Sequence, residues 1–286
     1  MQVLSPVPKG TIVQEVLSLP SFWYKLSKVN TTGLGASKIR YGRHSRQYII
    51  RIDPMGSPAP PGKAVVYFHG GGWRFGKPEF FLSNAKVLAA AGFKVYLPSV
   101  RRIPWADYKT IRKDLNAVLL TVLDDLRTAG LAPAGLVLGG MSAGGTLAAL
   151  SAFDDEVRTG TGLARTDFAG LFLCGAPLNL RLMAPSVIVR GFAGKREGKL
   201  FSAANPVERL SNEEDIPVLC IHGEKDGLVE FSSAVSFIEQ LKAVNRKETV
   251  FEVLRQGTHL DAGSWAYENN HQRSVLLDWL DRYCTS

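Results

Sequence analysis

The chain has 286 residues, of which 45% are hydrophobic and 21% charged, and a formal net charge of +8. This length and composition are typical of a globular protein with one large or two ordinary domains, and they exclude a disordered or collagen-like chain. No run approaches 18 apolar residues and residues 1–20 lack the pattern of a secretion signal, so we expect a cytoplasmic protein without stable membrane insertion.

The basic residues are mostly dispersed along the chain. The densest cluster lies between Lys38 and Arg51 and coincides with two alternating segments that are typical of an edge hairpin, where charges prevent aggregation. A binding patch is the alternative, but no nucleic-acid-binding motif accompanies the cluster, so we predict no nucleic-acid partner.

The sequence is compatible with a homo-oligomer. Three cysteines without a C-x-x-C pair predict inert core thiols rather than a zinc site or a disulfide framework.

From residue 37 onward, apolar strand runs alternate with amphipathic helices. This alternation predicts an α/β fold with a mostly parallel central sheet and helices on both faces. The predicted strands are 64–69, 93–97, a strand that begins at 136–138, 168–174, 217–221 and 249–254. The predicted helices are 79–91, 108–128, 232–244 and 267–283. Residues 57–62 are predicted to form a loop between strands.

Two segments do not fit the alternation. They are residues 9–28, within the N-terminal region 1–35, and residues 177–204. Because long connections at the carboxyl edge of a sheet are often functional, we predict that 1–35 and 177–204 form a small cap on a single domain of residues 1–286. Packing on the flank of the core is the alternative. If the N-terminal segment roofs the pocket, removing residues 1–28 will leave a folded protein with an altered acyl-chain preference.

A G-x-S-x-G motif covers Gly140–Gly144, between a predicted strand and an alanine-rich helix. This is the context of a nucleophile elbow, in which a strained turn exposes the serine hydroxyl. The flanking glycines are needed because a Cβ at these positions would block neighbouring chains. Ser142 is therefore the predicted nucleophile.

A second motif, His69–Trp73 (HGGGW), also follows a predicted strand and precedes a helix. Three successive glycines leave backbone N–H groups unobstructed, and such donors stabilise a developing oxyanion. A simple connecting turn is the alternative interpretation.

A hydroxyl nucleophile needs a base, and His259 follows a late strand in a polar loop. It is the predicted base. His69 and His222 are predicted to orient loops by hydrogen bonding, while His44 and His271 fall on predicted exposed positions.

A carboxylate is needed to orient the imidazole of His259. The turn after the fifth predicted strand can supply it, because this turn lies at the same sheet edge as Ser142 and His259. Asp226 is the predicted acid, with Glu224 as the alternative, and Asp261 is predicted to cap or solvate the histidine loop. The order Ser, Asp, His differs from that of chymotrypsin and subtilisin and is the order of α/β-hydrolases.

These motifs resemble those of α/β-hydrolase-fold serine esterases, closest to the hormone-sensitive-lipase-like and small acetyl or feruloyl esterase branches. The resemblance covers roughly residues 37–283 and rests on the HGGGW turn, the elbow, an H-G-x-x-D turn at His222–Asp226 and a looser G-x-H turn at Gly257–His259. It implies an oxyanion hole formed by the backbone of Gly71, Gly72 and Ala143. The chain departs from many relatives at Ser99–Pro104 (SVRRIP), where they carry an acidic YRLAPE-like stretch.

The combined prediction is two-step acyl transfer from a small-molecule ester, through an acyl-enzyme on Ser142, without a metal, nucleotide or redox cofactor. Short acyl or acetyl chains are expected, and Trp73 and Met141 are the predicted substrate-binding residues. A formamidase or amidase of the kynurenine formamidase type would use the same residues. A non-catalytic binding protein, or a thioesterase or peptidase on the same fold, would also be compatible with these motifs. The gibberellin-receptor branch lacks the catalytic histidine, whereas this chain has His259.

Overall fold

The computed structural model describes residues 10–56, 63–131 and 135–284. The predicted loop at 57–62 and the first nine residues of the predicted N-terminal cap segment lie outside the described residues. No helix within the described ranges is long and apolar enough to cross a membrane.

Strands from these ranges form one sheet that runs through the molecule. They are β1 (Ser37–Arg40), β2 (Tyr48–Ile52), β3 (Ala64–Phe68), β4 (Lys94–Ser99), β5 (Leu136–Met141), β6 (Phe168–Cys174), β7 (Val218–Gly223) and β8 (Thr249–Leu254). Their order is β1-β2-β4-β3-β5-β6-β7-β8. β2 pairs antiparallel with β1 and β4, and every pairing from β4 to β8 is parallel. The predicted mostly parallel sheet is therefore confirmed.

Helices cover both faces of the sheet, with a separate hydrophobic core on each side. They are α1 (Ile12–Lys28), α2 (Leu82–Ala90), α3 (Tyr108–Thr128), α4 (Ala143–Phe153), α5 (Asp155–Thr161), α6 (Val187–Ala193), α7 (Lys199–Ala204), α8 (Phe231–Val244) and α9 (His271–Cys284). α4 is buried along its whole length, which explains its alanine-rich sequence. The cysteine thiols are buried and free, as predicted.

Several boundaries differ from the prediction. The predicted helix at 79–91 begins as a 3-10 turn, Pro78–Phe81, and becomes α-helical only at α2. The predicted helix at 267–283 starts later, at His271, because the Asn270 side chain accepts a hydrogen bond from the Arg273 N–H (3.1 Å) and so marks its beginning. The segment 177–204, predicted as a connection, contains α6 and α7.

The basic cluster lies on the edge hairpin β1–β2. Arg40 donates to the carbonyl oxygens of the hairpin turn, including that of His44 (2.9 Å), and Arg51 pairs with Asp125 at 2.9 Å. These two basic side chains are engaged within the protein, which favours the edge-strand interpretation over a binding patch.

The sheet order places the carboxyl ends of β3, β5, β6, β7 and β8 next to one another. The predicted oxyanion turn follows β3, Ser142 follows β5, Asp226 follows β7 and His259 follows β8. Parallel strands therefore bring four segments that are distant in sequence to one edge.

Candidate active site

Ser142 occupies a strained turn between β5 and α4. Its backbone angles are φ 54° and ψ −128°, which a residue with a Cβ rarely adopts. A Cβ at Gly140 would meet the backbone of Gly144 at 2.5 Å, and one at Gly144 would overlap the carbonyl oxygens at the end of β3. The Ser142 N–H donates to Cys174 O at 2.8 Å, which anchors the turn to the end of β6. The glycines of the motif thus permit the geometry that presents the serine.

The glycine turn after β3 faces this elbow. Gly71 and Gly72 have positive φ angles of 128° and 58°, and Gly71 O accepts from Phe75 N–H at 2.8 Å. The N–H groups of Gly71, Gly72 and Ala143 donate to no acceptor among the residues that the structure describes. Trp73 Nε1 donates to Ala143 O at 3.1 Å and so ties the turn to the first residue of α4. The glycine turn and the start of α4 are therefore tied together, and the role of their N–H groups as an oxyanion hole stays a prediction.

His259 and Asp226 form a buried pair. His259 Nδ1 lies 2.7 Å from Asp226 Oδ2, and the two residues are 3% and 1% exposed. Asp226 Oδ1 accepts from the N–H groups of Leu228 (2.9 Å) and Val229 (2.7 Å), which fixes the carboxylate. The structure thus brings Asp226 to the imidazole, whereas Glu224 lies near Gln256 N–H.

Asp261, the third acid considered, caps the histidine loop as predicted. Its Oδ2 accepts from Thr258 N–H at 2.8 Å and from the Thr258 hydroxyl at 2.9 Å.

The electrostatics of the pair are set by burial and by mutual charge. Burial alone would raise the pKa of Asp226, but His259 and His222 outweigh it and hold this pKa well below its usual range. Burial alone would lower the pKa of His259, but Asp226 and then Glu15 outweigh it, so the pKa lies above the ordinary value of 6.5. The site therefore favours an ionised Asp226 and a basic imidazole.

The imidazole lies beside the strand end that holds the elbow. Gly175 directly follows Cys174, and a Cβ built on it would be 3.3 Å from His259 Nδ1. Ser142 Oγ makes no hydrogen bond to His259 within the described ranges. Such contacts are often long in unliganded sites and shorten when substrate binds.

Two other histidines, His69 and His222, lie near the candidate site, and of these His222 is fully buried. His69 Nδ1 lies 2.7 Å from Gly70 O, and the ring stacks on Phe81, so it orients the glycine turn as predicted. His222 Nε2 lies 3.3 Å from Asp226 Oδ2 and, through hydrogen bonding and charge, helps to lower the pKa of that carboxyl. That His222 orients this loop stays a prediction.

Both predicted substrate-binding residues are mostly buried. Trp73 is 8% exposed and stacks on Phe192 with ring centroids 4.1 Å apart. Met141 is 4% exposed, and its sulfur packs against Gly263. Their contact with substrate stays a prediction. Within the 177–204 segment, Ile188 approaches the glycine turn, because its Cγ2 would lie 3.7 Å from a Cβ on Gly72.

Sequence reasoning missed Glu15 of α1. Its Oε1 accepts from the backbone N–H of His259 at 2.7 Å and from that of Gly227 at 3.0 Å, and the residue is 2% exposed. The sequence does indicate that Glu15 is buried, because it lies on the same face of α1 as Phe22 and Leu26, which are also buried.

Comparisons with known proteins agree with this architecture. A family model described as the alpha/beta hydrolase fold matches residues 65–186, which contain the glycine turn and the elbow. No curated protein sequence matches the chain significantly.

Among solved structures, a truncated carbohydrate esterase from gut microbiota has a TM-score of 0.76 at 15% identity, covering 89% of this chain and 99% of its own. Esterase B from Lactobacillus rhamnosis has a TM-score of 0.75 at 17% identity, covering 95% and 92%. A Thermogutta terrifontis esterase with butyrate bound has a TM-score of 0.69 at 20% identity, covering 87% and 93%. The predicted α/β-hydrolase fold is confirmed.

Proposed function

We propose that this protein, which has the α/β-hydrolase fold, is a serine hydrolase that cleaves carboxylic esters. The observation that carries the proposal is the strained Ser142 turn at the same sheet edge as the buried His259–Asp226 pair. A positive φ at a serine is costly and persists where function requires it. Neighbours of the same fold that are described as esterases support the choice of ester chemistry.

The proposed reaction has two steps. Ser142 Oγ attacks the ester carbonyl carbon as His259 Nε2 takes the hydroxyl proton, and Asp226 stabilises the resulting imidazolium. The oxyanion accepts hydrogen bonds from the N–H groups of Gly71, Gly72 and Ala143, each worth on the order of 3 kcal/mol in the transition state.

Collapse of this tetrahedral intermediate breaks the bond to the alcohol, which leaves with the proton from His259. The acyl group stays on Ser142. Water then attacks the acyl-enzyme with His259 as base, and the acid departs as the serine hydroxyl is restored.

The proposed substrate is a small-molecule ester with a short acyl chain. The segment 177–204 supports this size limit, because Ile188 approaches the glycine turn and Phe192 packs on Trp73. Two neighbours were solved with butyrate and with a tributyrin phosphonate. In this proposal, 177–204 caps the site, and the N-terminal segment 1–35 contributes α1 to its edge.

The test is hydrolysis of p-nitrophenyl esters from acetate to laurate by wild type and by Ser142→Ala. We expect kcat to fall by several orders of magnitude, as removal of a catalytic serine does. Ser274→Ala, which changes an exposed serine on α9, is the matched control and should behave as wild type. Activity that survives Ser142→Ala would refute the nucleophile assignment.

Two further measurements separate the competing functions. A fluorophosphonate adduct on Ser142 distinguishes a hydrolase from a non-catalytic binding protein. An N-formyl anilide assayed beside the ester series distinguishes the formamidase chemistry, which would show a higher kcat/KM on the amide. Ile188→Ala should extend the acyl-chain optimum if this side chain limits the pocket.

A further inference from the structure

We propose that Glu15 is a positioning residue of the candidate active site, whose carboxylate fixes the histidine loop and the acid loop relative to each other. This inference rests on the proposed function, since it assigns Glu15 to the same site. One oxygen, Oε1, accepts from the His259 N–H at 2.7 Å and from the Gly227 N–H at 3.0 Å. Gly227 directly follows Asp226, so a single atom joins the two loops that carry the buried pair.

A carboxylate suits this place better than a neutral side chain. The residue is 2% exposed, and a buried charge persists only where donors compensate for its lost hydration. Hydrogen bonds to an ionised acceptor are about twice as strong as neutral ones. Oε2 is buried without a hydrogen bond among the described residues, so the compensation comes from the two backbone N–H groups that donate to Oε1.

The start of α1 is built to hold Glu15 there. Thr11 and Gln14 form a reciprocal capping box, with both hydrogen bonds at 3.2 Å. A Cβ on Gly227 would lie 2.7 Å from Thr11 O and 2.9 Å from Glu15 Cγ, and a Cβ on Gly10 would overlap Lys225 O. The acid loop therefore contacts the first turn of α1 so closely that two glycines are required.

The charge of Glu15 also acts on the imidazole. The groups around His259 are Asp226 on the acid loop, with His222 behind it, Asp261 on its own loop and Glu15 on α1. Glu15 is one of the two carboxylates that raise the pKa of His259. Removing its charge should therefore lower that pKa and move the acidic limb of kcat/KM to lower pH.

The experiment separates the charge from the hydrogen bonds. Glu15→Gln keeps an acceptor oxygen for the two N–H groups but removes the charge. We expect nearly wild-type kcat above the acidic limb, with that limb shifted down by on the order of one pH unit. Glu15→Ala removes the acceptor and leaves two buried donors unpaired. We expect kcat to fall about 10- to 100-fold, with KM little changed.

Two control variants test whether the changes in kcat and in the pH limb arise only because α1 packs less well against the rest of the protein. Leu17→Ala changes a residue on the same helix that is 74% exposed. Glu268→Gln removes the exposed ion pair with Lys25 (2.7 Å), which also ties α1 to the body of the protein. Both should retain wild-type kcat and the wild-type pH limb. A loss in Glu268→Gln equal to that in Glu15→Ala would overturn the specific role of Glu15.

A second readout does not depend on catalysis. Imidazole NMR signals report the pKa of His259 directly, so they test Glu15 even if wild type hydrolyses no ester, an outcome that would refute the proposed function alone. An unchanged His259 pKa in Glu15→Gln, together with wild-type kcat in Glu15→Ala, would overturn the positioning role. If Glu15→Ala does not fold, the titration of Glu15→Gln decides.

Discussion

Asp226→Asn isolates the contribution of one charge to the candidate site. Asp226 Oδ1 accepts from two backbone N–H groups, those of Leu228 (2.9 Å) and Val229 (2.7 Å). An asparagine can keep both bonds with its own Oδ1, so the loop should retain its conformation. The change is confined to the atom 2.7 Å from His259 Nδ1, where an NH₂ group replaces Oδ2.

The magnitude follows from that geometry. A hydrogen bond of 2.7 Å places the centres of an imidazolium and a carboxylate about 4 Å apart, where their attraction is about 4 kcal/mol at an effective dielectric constant of about 20. Losing this in the transition state costs about 1000-fold in rate. The amide also favours a proton on Nε2, the wrong tautomer for a base, so we expect kcat to fall by roughly 1000- to 10,000-fold.

The assay is steady-state hydrolysis of p-nitrophenyl acetate as a function of pH, with Glu224→Gln as the matched control in the same turn. In wild type, the acidic limb of kcat/KM should lie above the ordinary histidine value of about 6.5, because the pKa of His259 is raised. Glu224→Gln should keep both the rate and the limb. If Glu224→Gln loses activity while Asp226→Asn retains it, the assignment of the acid and the electrostatic argument are both refuted.

Three further changes test the surrounding structure. Gly144→Ala places a Cβ against the carbonyl oxygens that end β3, so we expect about 1–3 kcal/mol lower stability in urea unfolding and a lower kcat; wild-type values for both would contradict the steric argument. Asp114→Ala removes a fully buried carboxylate that accepts hydrogen bonds from the side chains of Arg101 (2.7 Å) and Gln47 (2.8 Å), and because these donors lose their acceptor we expect about 1–3 kcal/mol lower unfolding free energy. A loss below about 1 kcal/mol would show that the pair is dispensable. Removal of residues 1–28 takes Glu15 with it, so we now expect a folded protein with low kcat at every acyl-chain length. If the truncated protein has a changed acyl-chain optimum but an undiminished kcat, the N-terminal segment only covers the pocket.

The elbow and the glycine turn were predictable because their chemistry is local. Gly140, Ser142 and Gly144 lie within five residues, and the sterics that require glycine act across that short turn. The alternation of strands and helices then predicts which loops share a sheet edge, which limits the choice of acid and base to a few residues. The sequence analysis chose Asp226 over Glu224, although both follow β7 within the same turn, and the structure places the Asp226 carboxylate beside His259 and that of Glu224 beside Gln256.

The departure from the esterase pattern at Ser99–Pro104 shows a different limit. Arg101 lies in this stretch, where many esterase relatives carry an acidic sequence. In the structure its side chain and its backbone N–H both bind Asp114, a fully buried carboxylate on α3. The sequence carries both residues, but 13 positions of irregular chain and helix separate them, and no local pattern pairs them.

The position of Glu15 was readable from the sequence, but its partners were not. A carboxylate on the buried face of an amphipathic helix must find donors, because an unpaired buried charge is too costly. The donors it finds are 244 and 212 residues away in sequence, and both are backbone N–H groups, which leave no trace in residue type. Because α1 supplies an acceptor to two loops of the candidate site, it cannot move away from them without unpairing the N–H groups of His259 and Gly227. In the proposed enzyme, movement that admits substrate is therefore expected in the 177–204 segment, while α1 stays in place as part of the site.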